Sequence, residues 1–224
     1  MTTGSYQPRA SALAVRSGRQ LLAALVVFGA AVASYRLLDR PAALWAHGLP
    51  AQVVGWFKVV SGFGNSGPHL AGLALAYPLL RWRLRLAVAA QRALYAFVAV
   101  AASGLAVDVL KVIAGRWRPI ALFAESPHYG FAFFSYGYQH NSFPSGHATT
   151  AGALACALML VFPRLQIAWF ALAILIAVSR VVVGAHYPAD VLAGLWLGVA
   201  VARALSSSGW FHDAFEAPRQ APRR

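Results

Sequence analysis

Two histidines, His147 and His186, stand beside polar residues in a chain that is otherwise apolar, and their neighbours define a chemistry. His147 closes the tetrapeptide Pro144-Ser145-Gly146-His147, where an aromatic-rich loop turns into a long apolar run. Proline is favoured in the first turn of a helix, and the free N–H groups of that turn bind anions. Ser145 adds a hydroxyl donor, Gly146 lets a ligand approach the backbone, and His147 can carry a proton near neutral pH. That is a phosphate cradle with an acid beside it. A second cluster holds Ser179, Arg180, His186 and Asp190. If its second half is helical, Asp190 faces His186 at i, i+4. A third holds Lys111 and Arg118-Pro119. The three cations Lys111, Arg118 and Arg180 are what a phosphate dianion requires.

The elements that position these residues must be membrane helices. Hydrophobic residues make up 59% of the chain and charged residues 11%, against about 25% charged in a soluble domain. Mean hydropathy is +0.59. So few charges cannot cover a water-facing surface, and an integral membrane protein follows. The net charge of +13 would suggest nucleic acid in a soluble protein. Here the arginines sit at the ends of apolar runs, so topology signals and anionic lipid headgroups explain them, and no nucleic-acid partner is expected. Cys156 is the only cysteine; with no second thiol there is no internal disulfide, and it reads as a small buried hydrophobe.

The expected fold is all-α: a polytopic bundle of six transmembrane helices with one extra interfacial helix. The spans are expected at 20–38, 67–80, 87–113, 145–162, 165–183 and 188–205. A polar segment, 1–19, precedes the six-span domain of 20–207, and a Pro- and Arg-rich tail, 208–224, follows it. Ala31-Val32-Ala33 resembles a signal-peptidase site, so a cleaved leader competes with an uncleaved first helix, which the long apolar run favours. Trp45, Trp56, Phe57 and Lys58 suit the interfacial helix. Placing both termini, the 81–92 loop and the 163–165 turn on one side gathers most of the Lys and Arg there, and that side is expected to be cytoplasmic. All three polar clusters then emerge on the opposite, external face.

An Asp, Lys or Arg at the centre of a membrane helix costs about 2.5–3.5 kcal/mol on insertion scales. Asp108, Lys111, Arg180 and Asp190 nevertheless lie within or at the outer ends of apolar runs. Snorkelling accounts for a lone terminal lysine, and Asp108 reads as a partner that neutralises Lys111 one turn away. The three clusters together are not dismissed that way.

The pattern Lys111-x6-Arg118-Pro119, Pro144-Ser145-Gly146-His147, Ser179-Arg180-x5-His186-x3-Asp190 resembles the complete three-part signature of the type-2 phosphatidic acid phosphatase superfamily. That family includes membrane lipid phosphatases, bacterial acid phosphatases and vanadium haloperoxidases. The resemblance implies a metal-independent phosphatase without cofactor, acting through a phosphohistidine. It implies His186 as nucleophile, Asp190 orienting its imidazole, and His147 as general acid and then base. Lys111, Arg118, Arg180, Ser145 and the Gly146 N–H would hold the phosphoryl oxygens. A site at the outer face of a bacterial inner membrane is the expected location.

His186 and Asp190 could ligate an ion, yet three cations surround them and the carboxylate cluster a divalent metal prefers is missing from the pattern. His47, His69, His128, His140 and His212 read as loop or interface residues, with His140 near enough to help at the rim. Aromatic residues from Phe123 to Tyr138 suit a lid or a wall for an apolar tail, or an ordinary aromatic belt. The expected partners are the bilayer and a phosphorylated lipid: undecaprenyl diphosphate, phosphatidylglycerol phosphate, phosphatidic acid or lipid A 1-phosphate. Ala148/Gly152 and Gly194/Gly198 read as helix-packing pairs. A vanadate-dependent haloperoxidase and a non-catalytic lipid-binding or transport protein are the competing functions; the second would not need both histidines.

Overall fold

A computed structural model describes residues 9–208 and 210–211. The described chain is helical, in the order α1 (Arg9–Leu37), α2 (Asp39–His47), α3 (Ala51–Gly62), α4 (Ser66–Pro78), α5 (Ala87–Ala114), α6 (Gly146–Val161), α7 (Gln166–Val182) and α8 (Pro188–Ser206). Four segments are long and apolar enough to cross a membrane: Gln20–Leu37, Ala87–Ala114, Pro163–Val182 and Pro188–Ser206. Helix α6 is apolar but shorter, at 16 residues, and α4 runs on into a π turn at Leu79–Arg83. Large apolar side chains such as Phe28, Leu75, Leu105 and Ile167 point outward, as a lipid-facing surface requires.

The centre of the bundle is built from small residues. Helix α6 packs along α8 through Gly152, Gly194 and Gly198; a Cβ on Gly194 would meet the Ser145 carbonyl oxygen, and one on Gly198 would stand 2.7 Å from the Ala153 nitrogen. The glycine pairs of the sequence are thus a helix seam. Cys156 is buried with Tyr95, Ala99 and Ala202 in one apolar cluster.

Three expectations change. The first apolar span is Gln20–Leu37 as expected, but its helix reaches back to Arg9 into the segment read as a separate polar one, because the Ala, Leu and Arg preceding the apolar run are themselves strong helix formers. The single interfacial helix is two, α2 and α3, separated at Gly48-Leu49-Pro50: glycine closes the first, and proline cannot continue its hydrogen bonding. Phe211, assigned to a solvated tail, is buried against Tyr95, ring centroids 5.4 Å apart. Residues 209 and 212–224 of that tail, His212 among them, and residues 1–8 lie outside the described residues.

Candidate active site

The three polar clusters meet at one end of the bundle. Helix α5 delivers the first. Lys111 lies in its last turn, and Gly115, at φ 54°, ends the helix in the left-handed conformation that glycine tolerates best. The reversed chain pairs Arg116 with Phe131 in an isolated antiparallel bridge and turns Arg116 and Arg118 inward, both buried. Asp108 pairs with Lys111 at 3.6 Å and is itself largely exposed, in agreement with the neutralising role read from the sequence.

Helix α6 delivers the second cluster. Pro144 lies outside the helix, behind a cis Phe143–Pro144 bond, rather than in the first turn as expected. Ser145 is the N-cap, and its Oγ accepts from the Ala148 N–H at 3.5 Å. The cap uses only a lone pair, so the Ser145 hydroxyl proton is still able to donate. The Lys111 Nζ stands 3.5 Å from where a Cβ on Gly146 would be, so glycine keeps backbone, ammonium and ligand space together.

The third cluster comes from the α7–α8 junction. Pro188 occupies the first turn of α8, and Asp190 accepts from the Tyr187 N–H at 2.9 Å, one half of a capping box. His186 precedes this turn and is buried. Its Nδ1 is 2.7 Å from the Ser142 carbonyl oxygen and 3.7 Å from Asp190 Oδ2. A carbonyl only accepts, so Nδ1 carries the proton and the neutral ring presents a free lone pair at Nε2. Here the geometry differs from the expectation that Asp190 receives the Nδ1–H directly. Instead Ser142 donates its hydroxyl to Asp190 Oδ2 at 2.6 Å, and Ser142 in turn holds the ring. Burial lowers the His186 pKa to about 4, against the opposing pull of Asp190, so the ring is neutral at pH 7.

His147 lies within electrostatic reach of Arg180, His186, Lys111 and Arg118. Lys111, Arg118, Arg180 and His186 thus gather about His147, with Gly146 beside Lys111, while Asp190 is buried behind His186. Arg118 bonds the carbonyls of Ala185 (3.4 Å) and Asn141 (3.3 Å) and lies under the Tyr138 ring, 4.3 Å from its centroid. Arg180 donates to Ser61 Oγ. Among the described residues the buried Nε–H groups of Arg118 and Arg180 have no acceptor, and both are able to donate to an oxyanion.

Five positions that the sequence reading passed over also build this end: Ser61, Gly64, Asp39, Arg116 and Ser142. A Cβ on Gly64 would stand 2.9 Å from His147 Cβ, so the α3–α4 turn roofs that histidine. Arg116, Asp39 and Asp190 form a fully buried pair of ion pairs. A charge count held their signal: the chain has six acidic residues, and one at the end of an apolar span needs a partner. The other described histidines pack against aromatic rings or the backbone, His47 at the end of α2 and His69 within α4. His47 stacks on Phe123 (3.8 Å), His128 and His140 pack on Trp117 (4.5 and 3.9 Å), and His69 Nε2 lies 2.7 Å from the Phe63 carbonyl. Among the described residues, no three His, Cys, Asp or Glu gather to hold a metal.

A sequence profile described as the PAP2 superfamily matches residues 92–213. The chain belongs to that superfamily. Among curated relatives, the lipid A 1-phosphatase of Rhizobium johnstonii is 38% identical over 77% of this chain and 74% of its own. That of Rhizobium etli is 35% identical over 83% of this chain and 79% of its own. The crystal structure of a transmembrane PAP2-type phosphatidylglycerolphosphate phosphatase from Bacillus subtilis superposes with a TM-score of 0.63, covering 89% of this chain and 98% of that one, at 21% identity. At that identity the likeness is one of fold.

Proposed function

We propose that this protein is a lipid phosphate phosphatase that works through a phosphohistidine, with lipid A 1-phosphate the leading substrate. The observation that carries the reading is a neutral, Nδ1-protonated His186 within electrostatic reach of Arg118, Arg180 and His147. The two Rhizobium relatives, named lipid A 1-phosphatases, favour that lipid over phosphatidylglycerol phosphate, phosphatidic acid and undecaprenyl diphosphate.

In the first step His186 Nε2 attacks phosphorus and the bond to the lipid oxygen breaks. The bonding pair leaves with that oxygen, and His147 gives it a proton. In the second step water attacks phosphorus, the P–N bond breaks, and His147 takes a proton from the water. Inorganic phosphate leaves and both histidines return to their starting states. Lys111, Arg118, Arg180, Ser145 and the Gly146 N–H hold the equatorial oxygens, and such positioning does most of the work in phosphoryl transfer. Asp190 acts as a positioning group through Ser142. No metal is assigned a role.

In this reading the bundle crosses the membrane six times, α4 with its π turn and α6 joining the four longer spans, and α2 and α3 lie at the outer interface. Both termini are cytoplasmic and the site faces the periplasm of a bacterial inner membrane. An apolar cleft of about 160 Å³ between α1, α5 and α8, lined by Phe28, Leu110, Phe143 and Trp196 and reaching Pro144, gives an acyl chain a path beside the site.

Phosphate release by the purified protein from the four lipids tests this. Wild type is expected to prefer lipid A 1-phosphate, and His186→Ala to lose activity by about a thousandfold or more. Wild-type protein should retain ³²P on histidine after a rapid quench and stay active in EDTA. An unlabelled histidine refutes the covalent step; loss in EDTA restored by a divalent ion refutes metal independence.

A further inference from the structure

Arg116 is the largest fully buried side chain in the described structure, and it touches none of the groups assigned to phosphate. Its guanidinium donates through Nη1 to Asp190 Oδ1 and through Nη2 to Asp39 Oδ2. Asp39 is fixed on its other side by the Ser34 hydroxyl at 2.9 Å and the Ala189 N–H at 3.0 Å, both on Oδ1. Aromatic rings close the remaining space: the Arg116 Cζ is 4.5 Å from the Tyr187 centroid, 5.0 Å from Tyr35 and 5.2 Å from Phe131. All three charges are withdrawn from solvent, and the cluster carries one net negative charge.

Burying three charges is costly, and a hydrophobic replacement of such a cluster is often neutral or stabilising. Stability therefore does not explain why it is there. Its position does. Asp190 Oδ1 is taken by Arg116, which leaves Oδ2 for the Ser142 hydroxyl and the Tyr187 N–H. Ser142 then presents its carbonyl to His186 Nδ1. The chain of contacts runs Asp39, Arg116, Asp190, Ser142, His186. It ties the α1–α2 junction, which lies outside the 92–213 match, to the nucleophile.

We propose that Asp39 and Arg116 are positioning residues for the reaction: together they orient the Asp190 carboxylate so that Ser142 holds His186 with Nε2 free. The inference rests on His186 being the nucleophile. A planar guanidinium can serve two carboxylates at once, whereas an ammonium acts as a point charge without that fork. Lysine at 116 therefore keeps the charge and loses the alignment.

The test uses the full-length protein in lipid nanodiscs with two variants, Asp39→Asn and Arg116→Lys. Asp39→Asn is nearly isosteric, which keeps the experiment decisive if the second variant does not fold. Phosphate release is measured on lipid A 1-phosphate, alongside the ring ¹⁵N spectrum of labelled histidine, with the His186 signals assigned by His186→Gln. Asp39→Asn is expected to lower kcat about 10-fold and Arg116→Lys about 100-fold, the range typical of groups that orient a reacting ligand from behind. KM should stay within twofold, and the His186 ¹⁵N shifts should move away from those of a pure Nδ1–H ring. Unchanged His186 shifts in Asp39→Asn overturn the proposal even if the protein hydrolyses none of the lipids offered. Unchanged kcat with a lowered melting temperature overturns it as well, by reducing the cluster to a structural brace. Inactivity of wild type on every lipid would refute the functional reading and leave the spectral result to decide the positioning.

Discussion

Gly198→Ala tests the idea that the α6–α8 seam sets the spacing of the site. An added Cβ would stand 2.7 Å from the Ala153 nitrogen and 3.0 Å from the Thr149 carbonyl carbon, where ordinary contact starts at 3.4 Å. The nearest obstacle, the Thr149 carbonyl oxygen, is closer still, and all of these atoms are backbone, so no rotamer change relieves the clash and the helices must part by more than about 0.7 Å. Overpacking of this kind costs about 1–3 kcal/mol. Helix α6 carries His147 and α8 follows directly on His186, so the same separation widens the gap between proton donor and nucleophile. A misplacement of about 1 Å can cost on the order of 100-fold in rate, so the expected loss in kcat is about 10- to 100-fold. The assay is phosphate release together with thermal unfolding in detergent. Gly104→Ala is the control: nothing lies within 4 Å of its added Cβ, and alanine is favoured over glycine in a helix by about 1 kcal/mol. A Gly198→Ala protein with wild-type kcat would refute the claim that this seam sets catalytic spacing.

Other outcomes follow from individual contacts. Gly64→Ala pushes against His147 Cβ at 2.9 Å and Ile176 Cγ2 at 2.8 Å; kcat should fall about 10-fold or more, and an unchanged rate would mean the α3–α4 turn does not position the acid. The His186 ring should titrate in ¹⁵N spectra near 4, below the 6.5 of an unperturbed imidazole. Because the folded pKa is depressed, protonation of His186 opposes folding: its effect is absent above about pH 6.5 and destabilises the protein as pH falls toward 4. A midpoint above 6 would contradict its burial. Asp108→Asn should leave kcat within about twofold, since Asp108 itself is largely exposed and ion pairs with an exposed partner are worth about 0–1 kcal/mol; a larger loss would give Asp108 a role in the site.

The residues that read as a site from sequence were those whose chemistry is encoded within short segments. Lys111 and Arg118 share one helix end, Ser145 to His147 one turn, and His186 with Asp190 one capping segment, so type and spacing exposed them. Asp39 and Arg116 are 77 positions apart, and Asp39 and Ala189 are 150 apart. Nothing local in Leu38-Asp39-Arg40 distinguishes a buried carboxylate from an interfacial one. Gly64 carried no signal of its own, because its reason is the His147 side chain packed against it from another helix. The acceptor for His186 Nδ1 was unreadable for a further reason: it is a main-chain carbonyl, which every residue has. Asp190 at i+4 was the natural candidate, and the fold inserted Ser142 between the two. Helix boundaries were legible where glycine or proline fixed them, at Gly115 and Pro188, and less so at α1, where the helix outran its apolar stretch.

That carbonyl has a consequence for how the enzyme tolerates change. Replacing the residue at 142 can strip away its hydroxyl but never the oxygen that fixes which nitrogen of His186 bears hydrogen. The tautomer is thus insulated from substitution at the position that sets it. It is instead sensitive to the path of the chain from Asn141 to Pro144, so lesions there would spare substrate capture and slow the chemical step, an effect easily misattributed to the histidine itself.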